Sequence, residues 1–295
     1  MDTLIIKACL NGGRGRDENP NVPWTPQEVA DEAVRSYNAG AAMVHFHGRT
    51  PQGSTNYDPA WYAETDRLIR ERCDMVLNHT TARQAGVPVE SVVRYLMETP
   101  QPVDMASLNP AYFIGWRKDP ATGRRQTTIT PNSYEDIVAT LSACYSRGIL
   151  PEPTVQDGAT LNNVVTLIAE GALRRSDYFL LEPPLGEWGS GRQFTPGTPQ
   201  NYISLVEQLR SFYPNALLIA HGSGLHTFII GAMAIATGDH IRIGFEDSPR
   251  LPTNAMPHSN ADFVEWAVAV ARLHGREPAT PSQARELLRL PQRSA

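Results

Sequence analysis

Several features that commonly disclose a protein's setting are scarce in this chain. Cysteine occurs three times in 295 residues, at Cys9, Cys73 and Cys144. Three widely spaced thiols make neither a disulfide framework nor a Cys-based zinc site, so they read as reduced core residues and a cytoplasmic location is expected. No run approaches the roughly 20 consecutive apolar residues that a membrane-spanning helix needs. The start of the chain, with Leu4-Ile5-Ile6 close behind Met1, lacks the order of a secretory signal. Excess positive charge is also missing. At a formal charge of −5 the chain has no general basic character with which to displace counterions from phosphates. Neither a nucleic-acid nor a membrane partner is expected. No low-complexity block, charge run, short repeat or Pro/Ser-rich linker divides the chain, and its 24 prolines are scattered. With 41% hydrophobic residues the chain can bury a large core, and one domain over residues 1–295 is expected.

Short apolar runs alternate with longer amphipathic stretches from end to end, the pattern of parallel βα units. The expected strands are Leu4–Leu10, Met43–His47, Met75–His79, Val103–Ser107, Leu150–Val155, Tyr178–Leu181, Ala216–Ala220 and His240–Phe245. Thr25-Pro26-Gln27-Glu28 has the composition of a helix start, with a capping threonine, proline at the first helical position and a glutamate three residues on; Thr198-Pro199 repeats that start. Eight such units fit a (β/α)8 TIM barrel, whose functional groups gather at the C-terminal ends of the strands. An open doubly wound sheet is the competitor. Against it, Asn11-Gly12-Gly13-Arg14-Gly15 lacks the spacing of a dinucleotide fingerprint and leads into a polar loop.

His45 and His47 end an apolar run, one residue apart, and positions i and i+2 of a strand share a face. Two imidazoles aimed at one point make half of a metal site, since zinc accepts neutral nitrogen ligands at about 2.0–2.1 Å. A hydrogen-bonded pair of core histidines is the plain alternative. The last strand alternates strictly, so that Arg242, Gly244 and Glu246 share the face opposite Ile241, Ile243 and Phe245. Buried charge on an inward face calls for a partner or a metal. Glu246 is therefore a candidate third ligand, and two histidines with one carboxylate would leave the open position of a catalytic zinc. An Arg242–Glu246 ion pair without metal competes with this reading. Asp247 is either a base, held by Arg242, or a helix cap before Ser248-Pro249. His221-Gly222-Ser223-Gly224, between the seventh strand and a helix, offers backbone N–H groups to a phosphate or simply makes a tight turn. Thr80, Ser107 and Asn109 add polar groups around the same mouth.

Taken together, Thr25-Pro26-Gln27-Glu28-Val29-Ala30, Ala39-Gly40-Ala41-Ala42-Met43-Val44-His45-Phe46-His47, Met105-Ala106-Ser107-Leu108-Asn109 and Arg242-Ile243-Gly244-Phe245-Glu246-Asp247 resemble the β-keto acid cleavage enzymes, the family of the 3-keto-5-aminohexanoate cleavage enzyme. The likeness runs from the first strand to beyond Asp247. It implies a single (β/α)8 barrel with a helical C-terminal extension, zinc on His45, His47 and Glu246, an Arg242–Asp247 pair at the reacting centre, and a homotetramer. It also implies a transferase reaction in which a β-keto acid and acetyl-CoA give acetoacetate and a new CoA thioester. Thr80, Arg83, Ser107 and Asn109 would then face the keto acid, and residues 221–224 the CoA.

The departures from the family pattern concern the substrate. Arg14 stands where the lysine-fermentation member carries a glutamate for its substrate's ammonium, so the tail of the substrate here is expected to be anionic or neutral. The usual Thr-Gly-Gly after the third strand is Thr80-Thr81-Ala82-Arg83, with Arg83 offering charge in place of glycine N–H groups. Thr154 replaces a second carboxylate found in many relatives, leaving Glu152 to serve in its stead or the assistance absent. Two rival functions are a metal-dependent hydrolase, since His-x-His with an activated water suits amide or ester hydrolysis, and a non-catalytic zinc-bearing barrel that binds a metabolite.

Overall fold

In the computed structural model, which describes residues 3–119, 122–130, 132–174, 180–181, 184–186 and 195–293, the alternation becomes the parallel wall of a (β/α)8 barrel. Ile6–Cys9, Met43–Phe46, Val76–His79, Met105–Leu108 and Leu150–Pro153 are hydrogen-bonded side by side in chain order. Leu217–Gly222 and His240–Ile243 continue the wall round to Ile6–Cys9. Two short pieces, Leu180–Leu181 and Pro184–Leu185, fill the sixth position, both parallel to Leu217–Gly222. Tyr178 and Phe179 of the expected sixth strand lie outside the described residues.

Period-two alternation sorts the strand residues into two environments. Ile6, Val44, Leu77, Ala106 and Ile241 belong to the large cluster shared with the surrounding helices. Ile5, Met43, Val76, Met105, Leu150 and Ile219 form a separate inner layer with Ala279, Ala284 and Leu288. Two residues further along the same phase come Lys7, His45, Asn78, Glu152, His221 and Arg242, all buried. The barrel thus has an apolar floor and a polar storey above it. Truncating a floor residue such as Met43 to alanine would cost about 2–5 kcal/mol, as core cavities do.

The outer helices start as the sequence indicates. Thr25 Oγ1 accepts from Glu28 N while Glu28 Oε2 accepts from Thr25 N, capping Pro26–Ala39 reciprocally. Thr198 Oγ1 accepts from Asn201 N at the head of Pro199–Phe212. Beneath the floor, Glu277–Pro278 pairs with Thr3–Leu4, and the helix Pro281–Leu287 is tied to the wall by Arg285, whose NH1 and NH2 donate to Asp104 Oδ1 and Oδ2 at 2.9 and 3.0 Å.

Several strands differ from expectation at their ends. The first is split at Ile5, whose N–H turns to His240 Nδ1 at 3.1 Å. The eighth stops at Ile243 instead of Phe245, because Gly244 takes φ 153°. A side chain there would lie 2.3 Å from the Cys9 carbonyl, so glycine is what lets the strand end cross over Cys9. An antiparallel hairpin, Phe113–Lys118 with Arg125–Thr130, follows the fourth strand and has no counterpart in the strand pattern read from the sequence. Cys9, Cys73 and Cys144 are free; burial pushes the Cys144 thiol up to about 12 and Cys9 well above its ordinary value. Among the described residues no helix is long and apolar enough to cross a membrane.

Candidate active site

The C-terminal ends of the strands open into a cavity of about 440 Å³. His45 and His47 reach it from the second strand, and Glu246 and Asp247 from the turn after the eighth. That turn is why both carboxylates face one space. Once Gly244 breaks the strand, Asp247 N and Ser248 N both donate to the Gly244 carbonyl, and strict alternation no longer separates residue 246 from 247. Asp247 caps no helix: the next helix, Asn260–Leu273, starts with Ser259 as its cap.

His45 Nε2 lies 3.6 Å from Glu246 Oε2, and His47 Nε2 lies 3.4 Å from Glu246 Oε1. Donor atoms on one tetrahedral zinc, bonded at about 2.0–2.1 Å, stand about 3.3 Å apart. The trio forms the described group of metal-ligating side chains, with donor atoms within 4.8 Å of one another. Glu246 Oε2 is buried and, among the described residues, has no hydrogen-bond partner, which suits an oxygen that awaits a cation. The residues therefore fit a divalent metal.

The protonation of the trio follows from what lies beneath it. Lys7 Nζ meets Glu152 Oε1 at 2.7 Å with both side chains fully buried, and Asn78 Nδ2 donates to Glu152 Oε2 at 2.6 Å. The amide oxygen of Asn78 must then face His45 Nδ1, 2.8 Å away, so that nitrogen carries the proton and Nε2 keeps its lone pair. Burial pushes the His45 imidazole down to about 3, Glu246 opposing it, so the ring is neutral at pH 7. Burial works against the charge on Glu246, but Arg242 and then the two imidazoles outweigh it and hold the carboxyl well below its usual range. His47 is clamped through its backbone: its N–H donates to Asn11 Oδ1 at 2.9 Å and its carbonyl accepts from Asn11 Nδ2 at 3.0 Å.

Arg242 joins the trio to the second carboxylate. Its NH2 lies 2.7 Å from both Glu246 Oε1 and Asp247 Oδ1, and its Nε donates to Asp247 Oδ1 and Oδ2 at 3.1 and 3.2 Å. His221 Nδ1 is 3.3 Å from Asp247 Oδ1. Burial opposes charge on Asp247, but Arg242 and then His221 prevail, so this carboxyl too is held below its ordinary value.

Thr80, Arg83, Ser107 and Asn109 also line the cavity. Arg83 is anchored on the Val87 carbonyl and on Asp136 Oδ2, at 2.9 and 2.6 Å. Of the 221–224 segment, His221 and Ser223 line the cavity. Gly222 instead packs where a Cβ would be 2.4 Å from the His226 backbone, and Gly224 N–H donates to the Asp247 carbonyl. Arg14 stands behind the wall: its Nε and NH2 donate to the Glu246 and Asp247 carbonyls, both at 3.2 Å, and its NH1 meets Glu18 at 2.6 Å. It steadies the turn that carries both carboxylates. Glu152 is fully buried among Lys7 and Asn78, while Thr154 reaches the cavity. Sequence reasoning missed Arg49, Tyr57 and the hairpin residues Phe113–Gly115 among the lining groups. It also missed the Lys7–Glu152–Asn78 chain, although a lysine inside Leu4–Leu10 and a glutamate inside Leu150–Val155 were its signal.

Fold and site together define a class of (β/α)8 barrels with a metal-ready cluster of two imidazoles and a carboxylate at the strand ends. The chain belongs to the beta-keto acid cleavage enzyme family, whose model matches residues 3–290. It is 29% identical over 292 residues to the 3-keto-5-aminohexanoate cleavage enzyme of Acetoanaerobium sticklandii, covering 98% of each chain. It is 27% identical over 291 residues to the 3-oxoadipate:acetyl-CoA acetyltransferase of Cupriavidus necator, covering 97% of this chain and 95% of that one. Among solved structures, the ternary complex of ObcA with a C4-CoA adduct and oxalate superposes with a TM-score of 0.76 at 19% identity, over 92% of this chain and 68% of that one; this likeness concerns the fold.

Proposed function

We propose that the protein is a zinc-dependent transferase that cleaves a β-keto acid with acetyl-CoA as co-substrate, releasing acetoacetate and a new CoA thioester. The observation that carries this reading is the sharing of Arg242 between the metal-ready Glu246 and a second carboxylate, Asp247, facing the same cavity. Family membership and relatives named for acetyl-CoA transfer support it. Zinc held by His45, His47 and Glu246 supplies, when bound, Lewis-acid polarisation of the substrate's oxygens.

The chain's own residues do the rest. Asp247, kept ionised by Arg242, takes the proton from C2 of the keto acid as general base. Its Oδ2 is the oxygen for this, since Oδ1 is engaged by Arg242 NH2 and His221 while Oδ2 has only the longer Arg242 Nε contact. The C2 carbanion attacks the thioester carbonyl, the CoA thiolate passes to the former C3 carbonyl, and the C2–C3 bond breaks, the carbanion left on C2 taking back the proton from Asp247 to give acetoacetate. His221 and Ser223 border the space for the CoA end, and Thr80, Ser107 and Asn109 supply hydrogen bonds to the acid. The tail of the acid is anionic or neutral, because Arg49 lines the cavity with no carboxylate within ion-pair distance among the described residues and would repel an ammonium.

The test is incubation of zinc-loaded protein with acetyl-CoA and β-keto acids bearing acidic, neutral and cationic tails, with products read by mass spectrometry. Acetoacetate and a matching acyl-CoA are expected from acidic or neutral tails. Loss of substrate without any CoA would point to hydrolysis instead.

A further inference from the structure

We propose that Arg49 is the seat of a carboxylate of the keto-acid substrate, an inference that rests on the reading above. Arg49 is 6% exposed and lines the cavity that holds His45, His47 and Glu246. Its NH2 donates to the Arg14 carbonyl at 2.6 Å, and its buried Nε has no hydrogen-bond partner among the described residues. No carboxylate among them lies within ion-pair distance of it. Other buried arginines are compensated: Arg242 by two carboxylates, Arg285 by Asp104, and Arg83 by Asp136. Arg276 collects four backbone carbonyls.

A buried guanidinium with a single carbonyl and an unused Nε–H, bordering a cavity, is built for an anion that arrives with the substrate. The planar fork suits a carboxylate, which it can grip through two parallel hydrogen bonds. Arg14, the residue whose charge first suggested an anionic substrate, has its donors engaged elsewhere. The carboxylate on Arg49 comes from one of two positions: C1, present in every β-keto acid, or a second acid group at the far end of a dicarboxylic substrate.

The experiment compares zinc-loaded wild type, Arg49→Gln and Arg49→Lys. KM and kcat are measured with acetyl-CoA and either a neutral-tailed or a dicarboxylic β-keto acid, and the binding of inert butyrate and glutarate is followed by calorimetry. Arg49→Gln should raise KM about 10- to 100-fold, with the loss falling on KM more than on kcat, and Arg49→Lys should restore part of it. Equal losses with both acids assign Arg49 to C1, and a loss confined to the dicarboxylic acid and glutarate assigns it to the remote group. Unchanged KM and unchanged binding of both inert acids, in a variant that keeps its zinc, overturn the proposal. If Arg49→Gln does not fold, Arg49→Lys is decisive, since losing the paired geometry should still raise KM several-fold. If wild type yields no acetoacetate from any acid, the reading of function has failed, and the calorimetric arm still tests Arg49.

Discussion

Asn78 presents its amide oxygen to His45 Nδ1 at 2.8 Å, and this contact determines which ring nitrogen faces the cavity. Asn78→Leu removes the acceptor while keeping the branched outline of the side chain, so the ring loses its orientation and its fixed proton. Zinc affinity should fall about 10- to 100-fold, as it does when such supporting partners are lost. Competition with a chromophoric chelator reads this. A drop in thermal stability with unchanged affinity would reduce Asn78 to a packing role.

Gly12 lies against the Glu246 side chain with φ 49°; a Cβ on it would be 2.2 Å from Glu246 Cγ. Gly12→Ala must therefore displace the carboxylate or the loop. Zinc affinity is expected to weaken about tenfold or more, because ligand sets tolerate errors of only about 0.5 Å. Full retention of affinity would mean that the loop yields instead of the ligand.

Arg242 compensates two buried carboxylates at once. Arg242→Met should destabilise the protein by about 3–5 kcal/mol, the usual cost of stripping a buried ion pair of one partner. Arg242→Lys keeps the charge but not the fork and should be milder in stability while still losing most turnover. Urea titration and steady-state kinetics on both variants provide the check, and equal stability of Arg242→Met and wild type would argue against the arrangement.

Acid sensitivity should have a component beneath the cavity, on the strand that carries Arg242. His240 is buried and accepts from Ile5 N through Nδ1; burial, then Arg276, pushes it down to about 3. The unfolded chain takes up this proton near pH 6.5 while the folded one does not. The contribution is thus complete above about pH 6.5 and is lost progressively as pH falls towards the folded value, at about 1.4 kcal/mol per pH unit. In His240→Asn the amide oxygen can accept from Ile5 without titrating. Its unfolding free energy should show a shallower slope between pH 6 and 4, and parallel slopes would contradict the assignment.

The sequence disclosed the parts of this protein whose signal is periodic. Alternation in His45-Phe46-His47 put two imidazoles on one face, both of which the structure has near Glu246, and the strands recurred where the apolar runs lie. It misjudged places where backbone conformation breaks the period. Gly244 ends the last strand early, which is what lets Asp247 join Glu246 in facing the cavity. Arg14 looked like a substrate contact because its charge is legible, but its direction is set by carbonyls some 230 residues away. The pairing of Lys7 with Glu152 was hidden as well: the two lie 145 residues apart, and only the curvature of the wall brings them together.

The seam at the first strand has a kinetic consequence. Ile6 pairs with Ile241, and Thr3 with Glu277. During synthesis, Ile6 and Thr3 acquire these neighbours only after all the strands between them have emerged. Until then one margin of the growing sheet stays unpaired, an invitation to association with other nascent chains. Contacts of such sequence separation make closure slow. The helix Pro281–Leu287, which carries Arg285 under the floor, is therefore the latch, and chaperone dependence should concentrate on chains that have not yet reached it.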